Sequence, residues 1–144
     1  MKRSIDPSLV KAYREAHYAV FAEPEEFVLR VEHASHALAQ LMKRKQISTA
    51  AYLTASNPES QPGDASVWDE AQRSLLSDLD AMNLPYVGGE GRDPTGQWPS
   101  EASVLVLGIT RIDSERLAYR YRQNAFLWIG SEAAIPSLIL TLDT

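Results

Sequence analysis

Leu9, Tyr13, Ala16, His17 and Val20 recur at helical spacing behind Asp6-Pro7, a cap followed by proline in the first turn, and predict a helix from about Pro7 to Ala19. Glu26 to Val31 alternates toward a strand with Phe27, Leu29 and Val31 on one face. Ser35 is placed to cap a short helix whose apolar side is Leu38, Leu41 and Met42, with Lys43, Arg44 and Lys45 at the end where the helix dipole favours positive charge. Thr49 to Ala55 reads as a buried strand that stops at Asn57-Pro58, because a residue before proline is pushed out of helical space. The clearest helix follows. Ser66 with Asp69 resembles a capping box, Trp68, Ala71, Leu75, Leu79 and Met82 form the buried stripe, and Ser74, Asp78 and Asp80 the wet side. Pro85 to Val87 predicts a short strand entering a glycine-rich loop, and Ser103 to Ile109 a buried strand. Asp113 is expected to cap a helix to about Arg122, and Ala125 to Ile129 and Ser137 to Leu142 form two strands joined across Gly130 to Pro136.

The expected order is α-β-α-β-α-β-β-α-β-β. Strands alternate with helices early and pair as a hairpin late, too close at the end for a helical crossover. This predicts a single α+β domain over 1–144, with a mixed β-sheet, helices packed mainly on one face and a C-terminal β-hairpin. A chain of 144 residues, 44% hydrophobic and 23% charged, has ordinary globular composition. Its net charge of −5 opposes phosphate backbones and argues against a nucleic-acid partner. There is no cysteine, so disulfides and thiolate metal sites are excluded. The start, MKRSIDPSLV, has no apolar core of a secretion signal, and no apolar run approaches the ~18 residues of a membrane span, so a cytoplasmic location is expected by elimination.

Candidate chemistry concentrates in Gly88 to Glu101. Gly88, Gly89 and Gly91 allow close approach of backbone to a ligand, Glu90 and Glu101 are candidate acid/base groups, Arg92 a candidate anion holder and Trp98 a stacking surface. The structural alternative is a stiff connection in which Arg92 pairs with a carboxylate and Trp98 plugs the core edge. The glycines lack phosphate-loop spacing and no lysine follows them. A second group, Asn57 with Gln61, stands at a strand end where open sheets bind ligands; its alternative is a turn in which Asn57 bonds its own backbone. A third, Arg120, Gln123 and Asn124, ends the last helix; its alternative is a C-cap with Asn124 left-handed. His33 and His36 have no third ligand in view, so no metal is assigned, and no G-x-S-x-G motif supports a serine triad. Nothing identifies a cofactor. Lys43-Arg44-Lys45 reads as helix-end charge.

Three segments in order, Thr54-Ala55-Ser56-Asn57-Pro58-Glu59-Ser60-Gln61, then Gly89-Glu90-Gly91-Arg92-Asp93-Pro94 with Trp98-Pro99-Ser100-Glu101, then Gln123-Asn124-Ala125, resemble the bacterial domain-of-unknown-function family 3293. Tyr18 and Leu105-Val106-Leu107-Gly108-Ile109 fit the same pattern, which spans about Tyr13 to Leu140. The resemblance implies a small bacterial domain and no particular activity. It also implies that Asn57, Gln61, Glu90, Arg92, Trp98, Glu101, Gln123 and Asn124 form one recurrent set. Ser56 departs from it, standing where an aromatic is expected, and so does Glu59, where a larger apolar residue is expected.

The resulting expectation is one polar pocket that binds a small anionic ligand, a nucleotide or phosphorylated metabolite. Arg92 would hold the anion, Trp98 would wall the pocket, Asn57, Gln61, Gln123 and Asn124 would contact the ligand, and Glu90 or Glu101 would act as the acid or base in any reaction. The competing expectation is a non-catalytic module that docks a protein partner through the Gly88 to Glu101 loop, with Trp98 and Arg92 as hot-spot residue types.

Overall fold

The computed structural model describes residues 5–56, 64–130 and 134–141. These form α1 (Pro7–Glu15), β1 (His17–Val20), β2 (Phe27–Leu29), α2 (His36–Lys45), β3 (Ala50–Leu53), α3 (Ala65–Ala81), β4 (Tyr86–Arg92), β5 (Glu101–Leu107), α4 (Arg111–Arg120), β6 (Ala125–Ile129) and β7 (Ser137–Leu140). The strands join in one seven-stranded sheet of order β2-β1-β4-β5-β3-β6-β7. Every pairing is antiparallel. The fold is α+β and ends in the expected β6–β7 hairpin.

Side-chain alternation divides the interior into two cores. Val20, Leu29, Tyr52, Leu105, Leu107, Leu127 and Ile129 meet α2 through Leu38, Leu41 and Met42 on one face. Leu53, Val104, Val106 and Phe126 meet α3 through Leu75 and Leu79, and α4 through Leu117, on the other. The helices are therefore shared between the faces rather than gathered on one. The central strands require this: all of β3 and most of β5 are buried, so the sheet needs cover on both sides.

Caps set where the helices begin. The Asp6 carboxylate accepts from the Ser8 N–H and Ser35 Oγ from the Leu38 N–H, as the sequence predicts for those helices. For α3 the cap is Asp64, not Ser66, and for α4 it is Thr110, whose hydroxyl accepts from the Asp113 N–H. In both cases the next competent side chain upstream takes the role.

Two elements differ more deeply. The first helix ends at Glu15, not Ala19; Ala16 turns extended and His17–Val20 becomes β1. The spacing there fits a helix, but β1 pairs with β2 on one edge and β4 on the other and buries Ala19 and Val20 completely. The glycine segment is not a loop. Gly88, Gly89 and Gly91 lie inside β4, hydrogen-bonded to both β1 and β5, and the irregular connection is confined to residues 93–100.

Candidate functional site

Because β4 is a strand, its side chains alternate, and this separates residues expected to converge. Gly91 pairs with Tyr18 on one side and Glu101 on the other, all on the α2 face. Glu90 pairs with Ala19 and Ala102 and points to the opposite face, as does Arg92 two residues on. Glu90 and Glu101 therefore do not face one another. The Arg92 Nε donates to Glu90 Oε1 at 2.7 Å, its Nη1 reaches Glu26 Oε2 at 3.4 Å, and the guanidinium lies 5.9 Å from the centre of the Phe21 ring. This is the carboxylate-paired arrangement that was the structural alternative for Arg92.

On the α2 face the sheet and α1 enclose a cleft. Its inner part is a cavity of about 70 Å³ lined by residues including Tyr13, Tyr18, Tyr52, Glu101, Gln123 and Asn124. An outer part of about 90 Å³ shares Tyr13, Tyr18, Gly91 and Glu101, opens between Leu9, Ala12 and Trp98, and is also lined by Arg92. Gly91 forms part of the wall between Tyr18 and Glu101; a Cβ there would stand 4.0 Å from both Ser103 Oγ and Tyr18 Cδ1, so the absent side chain leaves usable space. The neighbouring Gly89 has none, since its Cβ would fall 2.1 Å from the Ala19 oxygen and 3.0 Å from the Tyr52 hydroxyl.

Buried phenols organise the cleft. The Tyr18 hydroxyl donates to the Tyr13 carbonyl, which ties α1 to the sheet, and the Tyr52 hydroxyl donates to the Ala19 carbonyl at 2.7 Å. The two rings meet edge-on with centroids 5.4 Å apart. Burial pushes the Tyr18 phenol well above its ordinary value, helped by the Glu101 charge and by Tyr13. Burial raises Tyr52 likewise, against the pull of a Ser103 hydrogen bond. Both phenols therefore keep their protons near neutrality, and neither is a base.

Gln123 and Asn124 line the inner part of this cleft. Arg122, not Asn124, takes the left-handed turn after α4, with φ 56°. Gln123 Nε2 donates to the carbonyls of Ser56 at 3.0 Å and Tyr121 at 3.1 Å, so it ties the segment after β3 to the end of α4. Asn124 is 6% exposed; its Nδ2 donates to the Tyr13 hydroxyl at 3.1 Å, while its Oδ1 accepts no hydrogen bond from the described residues. Arg120 turns away to Asp78, 3.6 Å distant. Asn57, Gln61 and Glu59 lie outside the described residues. Ser56, the other departure from the family pattern, is buried beside the Ala102 carbonyl.

Trp98 stands at the cleft mouth, 40% exposed, and lines the outer part. Its loop is built by Asp93, whose carboxylate accepts from the Thr95 N–H and hydroxyl and from the Gln97 and Trp98 N–H groups. The Thr95 hydroxyl, with these backbone donors, holds the Asp93 carboxyl below its ordinary value. The sequence signal was an aspartate two residues before a threonine, with Gly96 following at φ 75°. Tyr13, Tyr52 and Ser103 carried no such signal, since each sits in an apolar pattern that reads as core. Among the described residues no group of three or more His, Cys, Asp or Glu side chains is placed to hold a metal ion, and no helix is long and apolar enough to cross a membrane.

The fold and cleft define a class: an α+β protein with an antiparallel seven-stranded sheet and a tyrosine-lined cleft under its first helix. The family model described as protein of unknown function (DUF3293) matches residues 53–126, just over half of the chain, and the chain belongs to that family. The match runs from the end of β3 into β6 and contains Glu90, Arg92, Glu101, Gln123 and Asn124, whereas Tyr13 and Tyr18 lie outside it. No curated protein and no solved structure matches the chain.

Proposed function

We propose that the protein binds a small polar molecule in the cleft between α1 and the sheet. The observation that carries this reading is the meeting of polar side chains from separate elements around one cavity: Tyr13 from α1, Glu101 and Ser103 from β5, and Asn124 from the segment after α4. A buried amide with an unmade hydrogen bond destabilises a fold by roughly 1–3 kcal/mol, and its position on a cavity wall supports a role outside packing. Binding is favoured over catalysis because the phenols are held protonated and Glu90 is turned from Glu101. The anionic ligand expected from Arg92 has less support, since that guanidinium is engaged by Glu90 and Glu26.

The test is a fragment screen followed by backbone-amide NMR on wild type and Gly91→Val. A Cβ at this position has only the Ser103 Oγ and Tyr18 Cδ1 side-chain atoms near it, both at 4.0 Å, so a larger side chain extends into the cleft. Compounds should shift the Gly91, Ser103 and Ala125 amides in wild type and fail to do so in Gly91→Val. Equal shifts in both proteins would remove the cleft as the site. The exposure of Trp98 on an ordered loop supports a second reading, a protein-docking surface, which would show as shifts confined to residues 93–100 on adding a partner.

A further inference from the structure

The sheet has two edges, and they are finished differently. At one, β2 is three residues long and flanked by Glu25, Glu26 and Arg30, the short, charged form that keeps an edge from pairing with other chains. At the other, β7 is Ser137-Leu138-Ile139-Leu140, without a charge. Register fixes which way its backbone points. The Thr141 N–H donates to the Asn124 carbonyl, so these two residues form a hydrogen-bonded pair, and Phe126 with Ile139 and Trp128 with Ser137 do the same. Leu138 and Leu140 alternate with them and aim their N–H and C=O groups away from β6. Upstream, the outward carbonyls of Ala134 and Pro136 accept from the Ser35 and Glu32 N–H groups. Among the described residues no main chain does this for Leu138 or Leu140.

An apolar stripe runs beside this edge. Ile112 and Tyr119 stand on one face of α4, 60% and 66% exposed, and border a groove of about 510 Å³ with Ile139 and Leu140. The charges in that groove are matched within their own helix: Arg116 lies 3.6 Å from Asp113, and Glu115 accepts from Arg111 at 3.1 Å. With −5 on the whole chain, a face without net charge is where two copies meet with least repulsion. The strand is also matched to itself. Ser137-Leu138-Ile139-Leu140-Thr141 reads almost the same in both directions about Ile139. Antiparallel copies centred there set Leu138 against Leu140 and Ile139 against Ile139, and the outward N–H and C=O groups of both leucines find partners.

We infer that the protein pairs with a second copy of itself through β7, antiparallel about a twofold axis at Ile139. The two sheets become one, and the α4 stripes of both copies lie on the same side of the joint as Ile139, which packs with the core under α3 and α4. A stable interface covers roughly 1,200–2,000 Å² in total, more than one strand edge supplies, and Ile112 and Tyr119 extend it. The Glu32 contact at Pro136 confines the strand pairing to this stretch. Because each copy uses the same edge, the assembly closes at two.

The experiment is analytical ultracentrifugation of the full chain over a wide range of concentration, as wild type, Leu140→Lys and Ile112→Glu. The wild-type mass should rise toward that of two chains and stop there. Leu140→Lys gives the edge a charge of the kind that protects natural edges, and should weaken association by about tenfold or more; Ile112→Glu should weaken it as well. Amide hydrogen exchange adds a signature that a dimer built on another surface lacks. The Leu138 and Leu140 amides should be protected in concentrated protein and exchange freely in dilute protein, while the Ile139 amide, bonded to β6, stays protected in both. That reading is taken on wild type, so the test stands even if a variant fails to fold. A single-chain mass at every concentration would overturn the inference and leave the edge open to an extended segment of another protein. A dimer that ignores both substitutions, or one in which Leu138 and Leu140 exchange freely, would overturn it too. Growth past two chains would overturn the closed twofold pairing.

Discussion

The two faces of β4 use polar residues in opposite ways. On one face Glu90 and Arg92 stand two residues apart, bond to each other, and share the surface with Glu26 and Phe21. On the other, Gly91 leaves a gap beside Tyr18, Glu101 and Ser103, with Asn124 also lining the cavity. Formal charge draws attention to the first group. An exposed pair of opposite charges in contact has little interaction left to offer and contributes little to stability, because solvent screens it. A buried amide with one end unmade, as at Asn124, is a larger energetic imbalance.

The contrast breaks most visibly at adjacent glycines. Gly89→Ala drives a Cβ against the Ala19 oxygen and the Tyr52 hydroxyl, and is expected to destabilise by roughly 2–4 kcal/mol in urea unfolding. Gly88→Ala, on the opposite face with nothing within 4 Å, should stay within about 0.5 kcal/mol. Similar losses at both positions would mean that the cleft face is no more tightly built than the surface one.

Tyr52→Phe should follow at about 1–2 kcal/mol, because the Ala19 carbonyl loses a buried donor. The same phenol sets an alkaline limit. Its folded value lies above the ordinary 10.0, as does that of Tyr18, so the stability they contribute is present below pH 10 and is lost as pH rises through the folded values. Circular dichroism against pH should show a shallower alkaline loss for Tyr52→Phe than for wild type.

Arg92→Ala is expected to leave the urea midpoint nearly unchanged, because its ion pairs are exposed. Since Arg92 also lines the outer cleft, loss of fragment-induced shifts at Gly91 in this variant would make it part of the binding site, and unchanged shifts would confine it to the opposite face. The smallest effect is expected at Asp93→Asn. Its carboxyl is held below the ordinary 3.8, so its contribution is present above that value and is lost as pH falls through the folded one. Acid melting curves of the two proteins should converge at low pH while differing at neutrality.

Much of this fold was legible in the sequence. The stripe through Leu75 and Leu79, the Ser35 cap, the buried β5 run and the late hairpin each follow from a local period and a local stop signal. The failures share one cause. His17–Val20 fits a helix by spacing, and only its pairing with two distant strands makes it β1. Gly88 to Gly91 reads as a loop because glycine has low strand propensity, whereas Gly89 is needed there for the close approach of the Ala19 oxygen from β1 and, behind it, of the Tyr52 hydroxyl, both far away in sequence. Once a strand is read as a loop, its residues have no alternation, and nothing prevents Glu90, Arg92 and Glu101 from being imagined together. The tyrosines were missed because an aromatic in an apolar pattern looks like packing until its hydroxyl is seen to have a job.

The position of β3 has a consequence for how the molecule is made. Ala50 lies between Leu107 of β5 and Ile129 of β6, so both of its neighbours come later in the chain. During synthesis the apolar run Ala50–Leu53 leaves the ribosome with both edges open and stays so until β5 and then β6 have been translated. A nascent chain halted before β6 would carry an open apolar strand edge of the kind that pairs with other chains.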